Sequence, residues 1–205
     1  MRRNTARWTG LTVVLTLCLI LPIAASAAQA KPERTTRSDA KTLTDNAVYV
    51  IEADSRSPEG SYLRVGVYEK VVQARAVLQP PVSHLALRSL RHRQYWRAVH
   101  TATTFGGTPI YQFRNLYSDM CLTVARPEHS PVYMQYCGAG VRGQQWSHVW
   151  PGIIASRNTG GADYSMCLDI TEFRNAKGTP LQVGRCHEKW NQLWKLRRIS
   201  DEYAK

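Results

Sequence analysis

Cys167-Leu168-Asp169-Ile170, Gly178-Thr179-Pro180-Leu181-Gln182, Cys186 and Asn191-Gln192-Leu193-Trp194 follow one another within residues 153–194, and half of this pattern stands upstream. There Cys121-Leu122-Thr123-Val124 precedes Cys137 and Gln144-Gln145-Trp146. A fainter copy runs from Tyr62-Leu63-Arg64-Val65 to Gln94-Tyr95-Trp96. The Gln-x-Trp signature thus recurs at Trp96, Trp146 and Trp194, at intervals of 50 and 48 residues. Self-similarity at a fixed period marks a repeat architecture. Three copies, each ending in a tryptophan, point to a closed three-fold assembly.

The chain around these motifs reads as short strands. Val48-Tyr49-Val50-Ile51 and Leu63-Arg64-Val65-Gly66-Val67-Tyr68 are apolar and β-branched runs. Turn signals stand at Pro58-Glu59-Gly60, Pro80-Pro81, Gly106-Gly107, Gly138-Ala139-Gly140 and Gly160-Gly161. Short strands so divided argue for an all-β, barrel-like fold. Residues 83–98 are the exception, because Leu85, Leu87 and Leu90 fit either a strand or a short helix. One repeat cannot bury its own apolar face, whereas three around an axis can, and closure removes exposed strand edges. Trp96, Trp146 and Trp194 are therefore expected in the core near that axis, beside Leu63, Leu122 and Leu168.

The first repeat departs furthest from the pattern. Tyr62 aligns with the cysteine and Arg64 with the aspartate. The span from Tyr62 to Trp96 is 34 residues, against 25 from Cys121 to Trp146 and 27 from Cys167 to Trp194. An insertion is expected at residues 71–82.

The 205 residues suffice for one domain and a leader. Arg2, Arg3 and Arg7 precede an apolar run over residues 11–25, with small-residue cleavage sites after Ala27 and Ala30. Residues 1–30 therefore read as a secretory signal peptide and the protein as secreted and extracellular. The apolar run is short of the roughly 20 residues of a membrane span. Residues 31–45 are polar and aperiodic and read as a flexible arm. The domain follows over residues 46–200, in repeats of about 46–100, 101–150 and 151–200. Cys18 falls in the leader, which leaves Cys121, Cys137, Cys167 and Cys186, an even number in an exported chain. Sequence alone allows three pairings. The formal charge is +12, of which the leader arginines supply three, leaving +9.

Through Cys167-Leu168-Asp169, Gln182, Cys186 and Asn191-Gln192-Leu193-Trp194, echoed in the earlier repeats, the chain resembles the ricin-type β-trefoil lectins over residues 46–200. The resemblance implies a β-trefoil with pseudo-three-fold repeats, non-catalytic carbohydrate binding and no cofactor. The repeat pairs Cys121 with Cys137 and Cys167 with Cys186. By the same resemblance Asp169 is the carboxylate that accepts hydrogen bonds from sugar hydroxyls. Asn191 is the amide that meets those hydroxyls, Gln192 holds Asp169, and Gln182 is a further polar position of the pocket. Charge-assisted hydrogen bonds would orient the sugar, and an aromatic ring would cover its C–H face. The family's usual aromatic position holds Gly184, so the ring must come from Phe173, Trp190 or Tyr164. In the second repeat Thr123 replaces the aspartate, Gly143 the asparagine, and Gln135 the aromatic, with Tyr133 and Tyr136 read as packing residues. One site per chain is expected, with weak binding of galactose-like glycans, and both Asp169 and Thr123 are placed outside the core.

A second reading keeps the trefoil but makes it a protein-interaction or toxin-delivery module, like the trefoil subunits of cytolethal distending toxins. Arg88, Arg91, Arg93 and Arg97, with His92 and Tyr95, form the best cluster for an anionic surface, although a solvated basic face explains it as well. Nucleic acid is not the expected partner. No Gly-x-Ser-x-Gly elbow, phosphate loop or His-Glu-x-x-His zinc pattern occurs. Asp163, Asp169, Glu172 and Glu188 could in principle supply a glycosidase pair, but nothing in the resemblance supports hydrolysis. His84, His92, His100, His129, His148 and His187 show no ligand spacing and read mostly as surface residues. No metal is implied.

Overall fold

The computed structural model describes residues 42–125, 128–149, 151–158 and 166–204. Residues 1–30, read above as a signal peptide, residues 31–41 of the expected arm, Asp163 and Tyr164 lie outside them. Among the described residues twelve strands fall into three groups of four. The first repeat holds β1 (Val48–Arg56), β2 (Tyr62–Gly66), β3 (Val77–Gln79) and β4 (Trp96–Thr103). The second holds β5 (Pro109–Asn115), β6 (Cys121–Val124), β7 (Val132–Gln135) and β8 (Trp146–Val149). The third holds β9 (Ile153–Ser156), β10 (Met166–Ile170), β11 (Leu181–Arg185) and β12 (Trp194–Arg198).

The outer strands of each repeat make the barrel. β1 pairs with β4, β4 with β5, β5 with β8, β8 with β9, and β12 returns to β1, all antiparallel. The last gap closes where the Trp194 N–H donates to the Gly152 carbonyl at 2.8 Å. Gly152 has φ +139°, and a Cβ there would lie 2.8 Å from the Trp194 carbonyl oxygen, so this approach requires glycine. The inner hairpins β2–β3, β6–β7 and β10–β11 cap the barrel. They touch head to flank around the axis through Arg75 with Tyr133, Pro131 with Gln182, and Pro180 with Val77.

The three tryptophans are equivalent, as the sequence requires. Trp96, Trp146 and Trp194 are fully buried, and their Nε1–H groups donate to the carbonyls of Val65, Leu122 and Leu168 at 2.9, 2.9 and 3.0 Å. A large apolar ring with a satisfied N–H is what a small barrel needs at its centre. The glutamine two residues earlier is repeated as faithfully. Gln94, Gln144 and Gln192 donate to the carbonyls of Pro80, Tyr136 and Arg185, and accept from the N–H of Val82, Gly138 and His187. Each Gln-x-Trp therefore pins its own β-hairpin to the barrel from within.

These equivalences correct the alignment of the first repeat. Val65, not Leu63, matches Leu122 and Leu168, so Arg64 stands at the cysteine position and Gly66 at the aspartate position. Leu63 is still buried. A slip of two residues preserves the inward and outward faces of a strand, so apolar alternation could not reveal it. Arg64 instead lies 3.4 Å from buried Glu52, which also pairs with Arg197 at 2.9 Å. The insertion moves as well. From the residue paired with Arg64, Cys121 or Cys167 to the pinning glutamine is 15 residues in the first repeat, against nine and eight. The excess falls within residues 83–93, which contain a short helix, α1 (Arg88–His92), while residues 71–82 build the cap and β3.

Two smaller expectations also change. Of residues 42–45, assigned to the flexible arm, Leu43 is packed and the other three are exposed. Leu43 is buried, and its backbone N–H and carbonyl both bond to the Tyr111 hydroxyl at 2.9 and 3.0 Å. Most of the histidines are exposed as expected, His84, His100, His129 and His187, while His92 and His148 are buried. Tyr136, read as a packing residue, is 72% exposed.

Candidate functional site

Strands β10 and β11 bring Asp169 and Gln182 into register as a cross-strand pair. The Cys167–Cys186 disulfide locks the strand before Asp169 to the loop that follows β11, and Cys121–Cys137 does the same in the second repeat. Behind Asp169 lies a 3-10 turn, Trp190–Gln192, which delivers two buried amides to its carboxylate. Asn191 Nδ2 donates to both oxygens at 3.1 Å, and Gln192 Nε2 donates to Oδ2 at 2.6 Å. Asp169 is itself only 4% exposed, so the acid expected outside the core is anchored within it. Thr123 is equally buried. The charge is tolerable there because each oxygen is satisfied by at least one amide N–H.

The carboxylate forms the floor of a cavity of about 530 Å³. Gln182 and Gly184 of β11 continue that floor, and Phe173 and His187 line it as well. Glu128 and His129 enter from the second repeat. His187 Nε2 lies 3.8 Å from Asp169 Oδ2. On the rim the Arg185 N–H and guanidinium hold the Glu128 carboxyl below the usual carboxylate range, with contacts of 3.2 and 3.1 Å. That contact ties the second hairpin to the third.

Of the four residues read from the sequence, Asp169 and Gln182 line the cavity, while Asn191 and Gln192 sit behind the carboxylate. Asn191 thus holds Asp169 and is itself 1% exposed. Gly184 has a structural cause: a Cβ there would lie 2.8 Å from Asp169 Oδ2. The aromatic wall comes instead from Phe173, which is 50% exposed, parallel to the His187 ring, with centroids 6.3 Å apart. Trp190 meets Phe173 edge-on at 5.9 Å and supports it from outside the cavity. Glu172 and Phe173 both have positive φ, +53° and +55°. Non-glycine residues held in that region are over-represented at ligand sites.

Sequence reasoning missed Glu128, His129 and His187. The first two stand about 40 residues before Asp169 in the chain, and only closure of the three repeats brings them near. Positive φ at Gln73, His129 and Gly178 marks the equivalent turn of each hairpin, a signal that glycine announced in the third repeat alone.

The other repeats do not rebuild the arrangement. In the first, Gly66 replaces the acid, and a Cβ there would meet the Gln79 side chain at 2.7 Å. In the second, Thr123 commits its hydroxyl to the Cys121 carbonyl at 2.8 Å. Gly143 lies so close to the Val124 carbonyl that a Cβ would approach it to 2.4 Å, so no asparagine fits there. A smaller cavity of about 310 Å³ does occupy the equivalent place, lined by Gln73, Arg75, Pro131 and Tyr133.

Three four-stranded repeats closed around buried tryptophans define the class as a β-trefoil. Residues 109–203, the second and third repeats, match the model of the ricin-type beta-trefoil lectin domain. Among solved structures the chain is similar to a designed three-fold symmetric protein, ThreeFoil, at 19% identity and TM-score 0.55, covering 73% of this chain and 96% of that one. It is similar to the C-half of the earthworm R-type lectin, solved in complex with GalNAc, at 15% identity and TM-score 0.52, covering 75% and 99%. It is similar also to the ricin B-like lectin of Macrolepiota procera, solved with lactose, at 14% identity and TM-score 0.53, covering 77% and 99%. Likenesses at these identities establish the fold. No curated protein matches the chain.

Proposed function

We propose that the protein is a secreted, non-catalytic carbohydrate-binding protein with one site per chain, in the third repeat, for galactose-type sugars. The observation that carries this reading is the Asp169 carboxylate, held by two buried amides at the floor of a cavity with a half-exposed Phe173. The carboxylate would accept from adjacent sugar hydroxyls, and the Gln182 amide would donate and accept beside it. Phe173 would cover the apolar C–H face. The sequence leader and the two disulfides support export. The choice of sugar rests on the family and on the GalNAc and lactose found with the two lectins above.

A shallow site with one carboxylate at its floor should bind at a fraction of a millimolar, or about 4–5 kcal/mol, so useful avidity requires several chains on one surface. The test is calorimetric titration of lactose and galactose into wild type and Phe173→Ala. Loss of the ring should weaken binding by up to about tenfold and leave the melting temperature unchanged, because the ring is half in solvent. Equal binding by wild type and variant would remove Phe173 from the site. A wild type that binds no glycan while a protein partner co-purifies would replace this reading with the interaction-module one.

A further inference from the structure

The insertion at residues 83–93 has no use in the sugar site or the barrel, since the other two repeats make the same connection with six or seven fewer residues. Its leucines face water: Leu85 is 85% exposed, Leu87 74% and Leu90 38%. Packing cannot explain them, and three adjacent exposed leucines on an ordered loop mark a contact surface. The loop is held in shape. The Gln94 side chain pins both its ends, the Arg91 guanidinium donates to the His84 carbonyl, and Arg93 and Lys70 lie over the Tyr117 ring at 5.0 and 4.3 Å.

The charged side chains of the insertion itself are all positive, Arg88, Arg91 and Arg93. No acidic residue occurs between Glu69 and Asp119, a span that holds Arg75, Arg88, Arg91, Arg93, Arg97 and Arg114. The pKa of buried His92 is lowered first by burial and then by Arg88, Arg91 and Lys70, which shows the local field to be positive. Acidic residues stand near the His84 end of the loop, where α2 (Asp201–Ala204) carries Asp201 and Glu202 and its Tyr203 meets His84 edge-on at 6.1 Å.

We propose that residues 83–93 dock the protein on an anionic lipid bilayer, with Leu85 and Leu87 entering the headgroup boundary and Arg88 and Arg91 meeting lipid phosphates. Apolar side chains flanked by arginine combine the two terms of interfacial binding, burial of apolar area and attraction to anionic lipid. A second copy of the chain would bring like charges together. A soluble polyanion would engage the arginines and leave the leucines in water.

The test is flotation of the protein with phosphatidylcholine vesicles, with and without phosphatidylglycerol, at low and physiological salt. Binding should require phosphatidylglycerol and weaken with salt. Leu85→Ser with Leu87→Ser should lower the partition coefficient by at least about tenfold, and Arg88→Glu should lower it as well. All three side chains are exposed, and circular dichroism confirms folding. Absence of wild-type binding to the anionic vesicles overturns the proposal. So does equal binding by the leucine variant, which would mean that charge alone acts. Retention on heparin without vesicle binding would reassign the loop to an acidic polymer.

Discussion

Asp169 shows why position and burial must be read together. From the sequence it is a family acid in a loop-like context, and its removal looks harmless to folding. In the fold it is the shared acceptor of Asn191 and Gln192, both at most 1% exposed. Asp169→Ala would leave the buried Asn191 amide N–H groups and one Gln192 N–H without an acceptor, at about 1–3 kcal/mol for each side chain. The variant should therefore lose sugar binding and also melt several degrees lower, measurable by calorimetry. An unchanged melting temperature would contradict the hydrogen-bond assignment. His92 supplies a second test at this scale. Its folded pKa is lowered, chiefly by burial, from an ordinary value of 6.5. Near neutral pH the ring is uncharged in both states. As the pH falls through about 6.5 the unfolded chain takes up the proton first, so stability declines on acidification and levels off below the folded pKa. Urea midpoints at neutral and mildly acidic pH should show a smaller decline for His92→Gln than for wild type.

At the scale of elements, the hairpins explain which repeat can bind. Each presents the same two neighbouring positions, Gly66 with Gln79, Thr123 with Gln135 and Asp169 with Gly184, and only the last pair combines an acid with an empty space above it. Gly184→Ala should displace the carboxylate and abolish detectable lactose binding by calorimetry. Gly143→Ala meets a backbone carbonyl and should destabilise the fold by about 1–3 kcal/mol, seen in denaturant melts, with little effect on the sugar site. The sequence announced the third hairpin because its acid, amides and cysteines lie within 26 residues. It misplaced the first by two residues because alternation has period two, and no cysteine fixed the register. It misplaced the insertion for the same reason, since the length excess was visible while its position was not.

For the whole molecule, the spacing of three tryptophans was enough to foresee three repeats, while the trefoil and the pairing of both disulfides came with the family resemblance. It could not foresee that Glu128 and His129 of one repeat would wall the cavity of the next, because that contact exists only after closure. It could not tell which aromatic would replace the missing one either. Phe173 is set in the cavity by two consecutive residues of positive φ that carry no glycine to announce them. The second cavity, at Arg75 and Tyr133, is the natural competitor for a ligand. An NMR titration of the labelled protein with lactose separates the two most directly. Amide shifts should concentrate at Thr171, Phe173, Gly184, Arg185 and His187. Shifts concentrated at Gln73, Arg75 and Tyr133, with the third hairpin unmoved, would contradict a site built on Asp169.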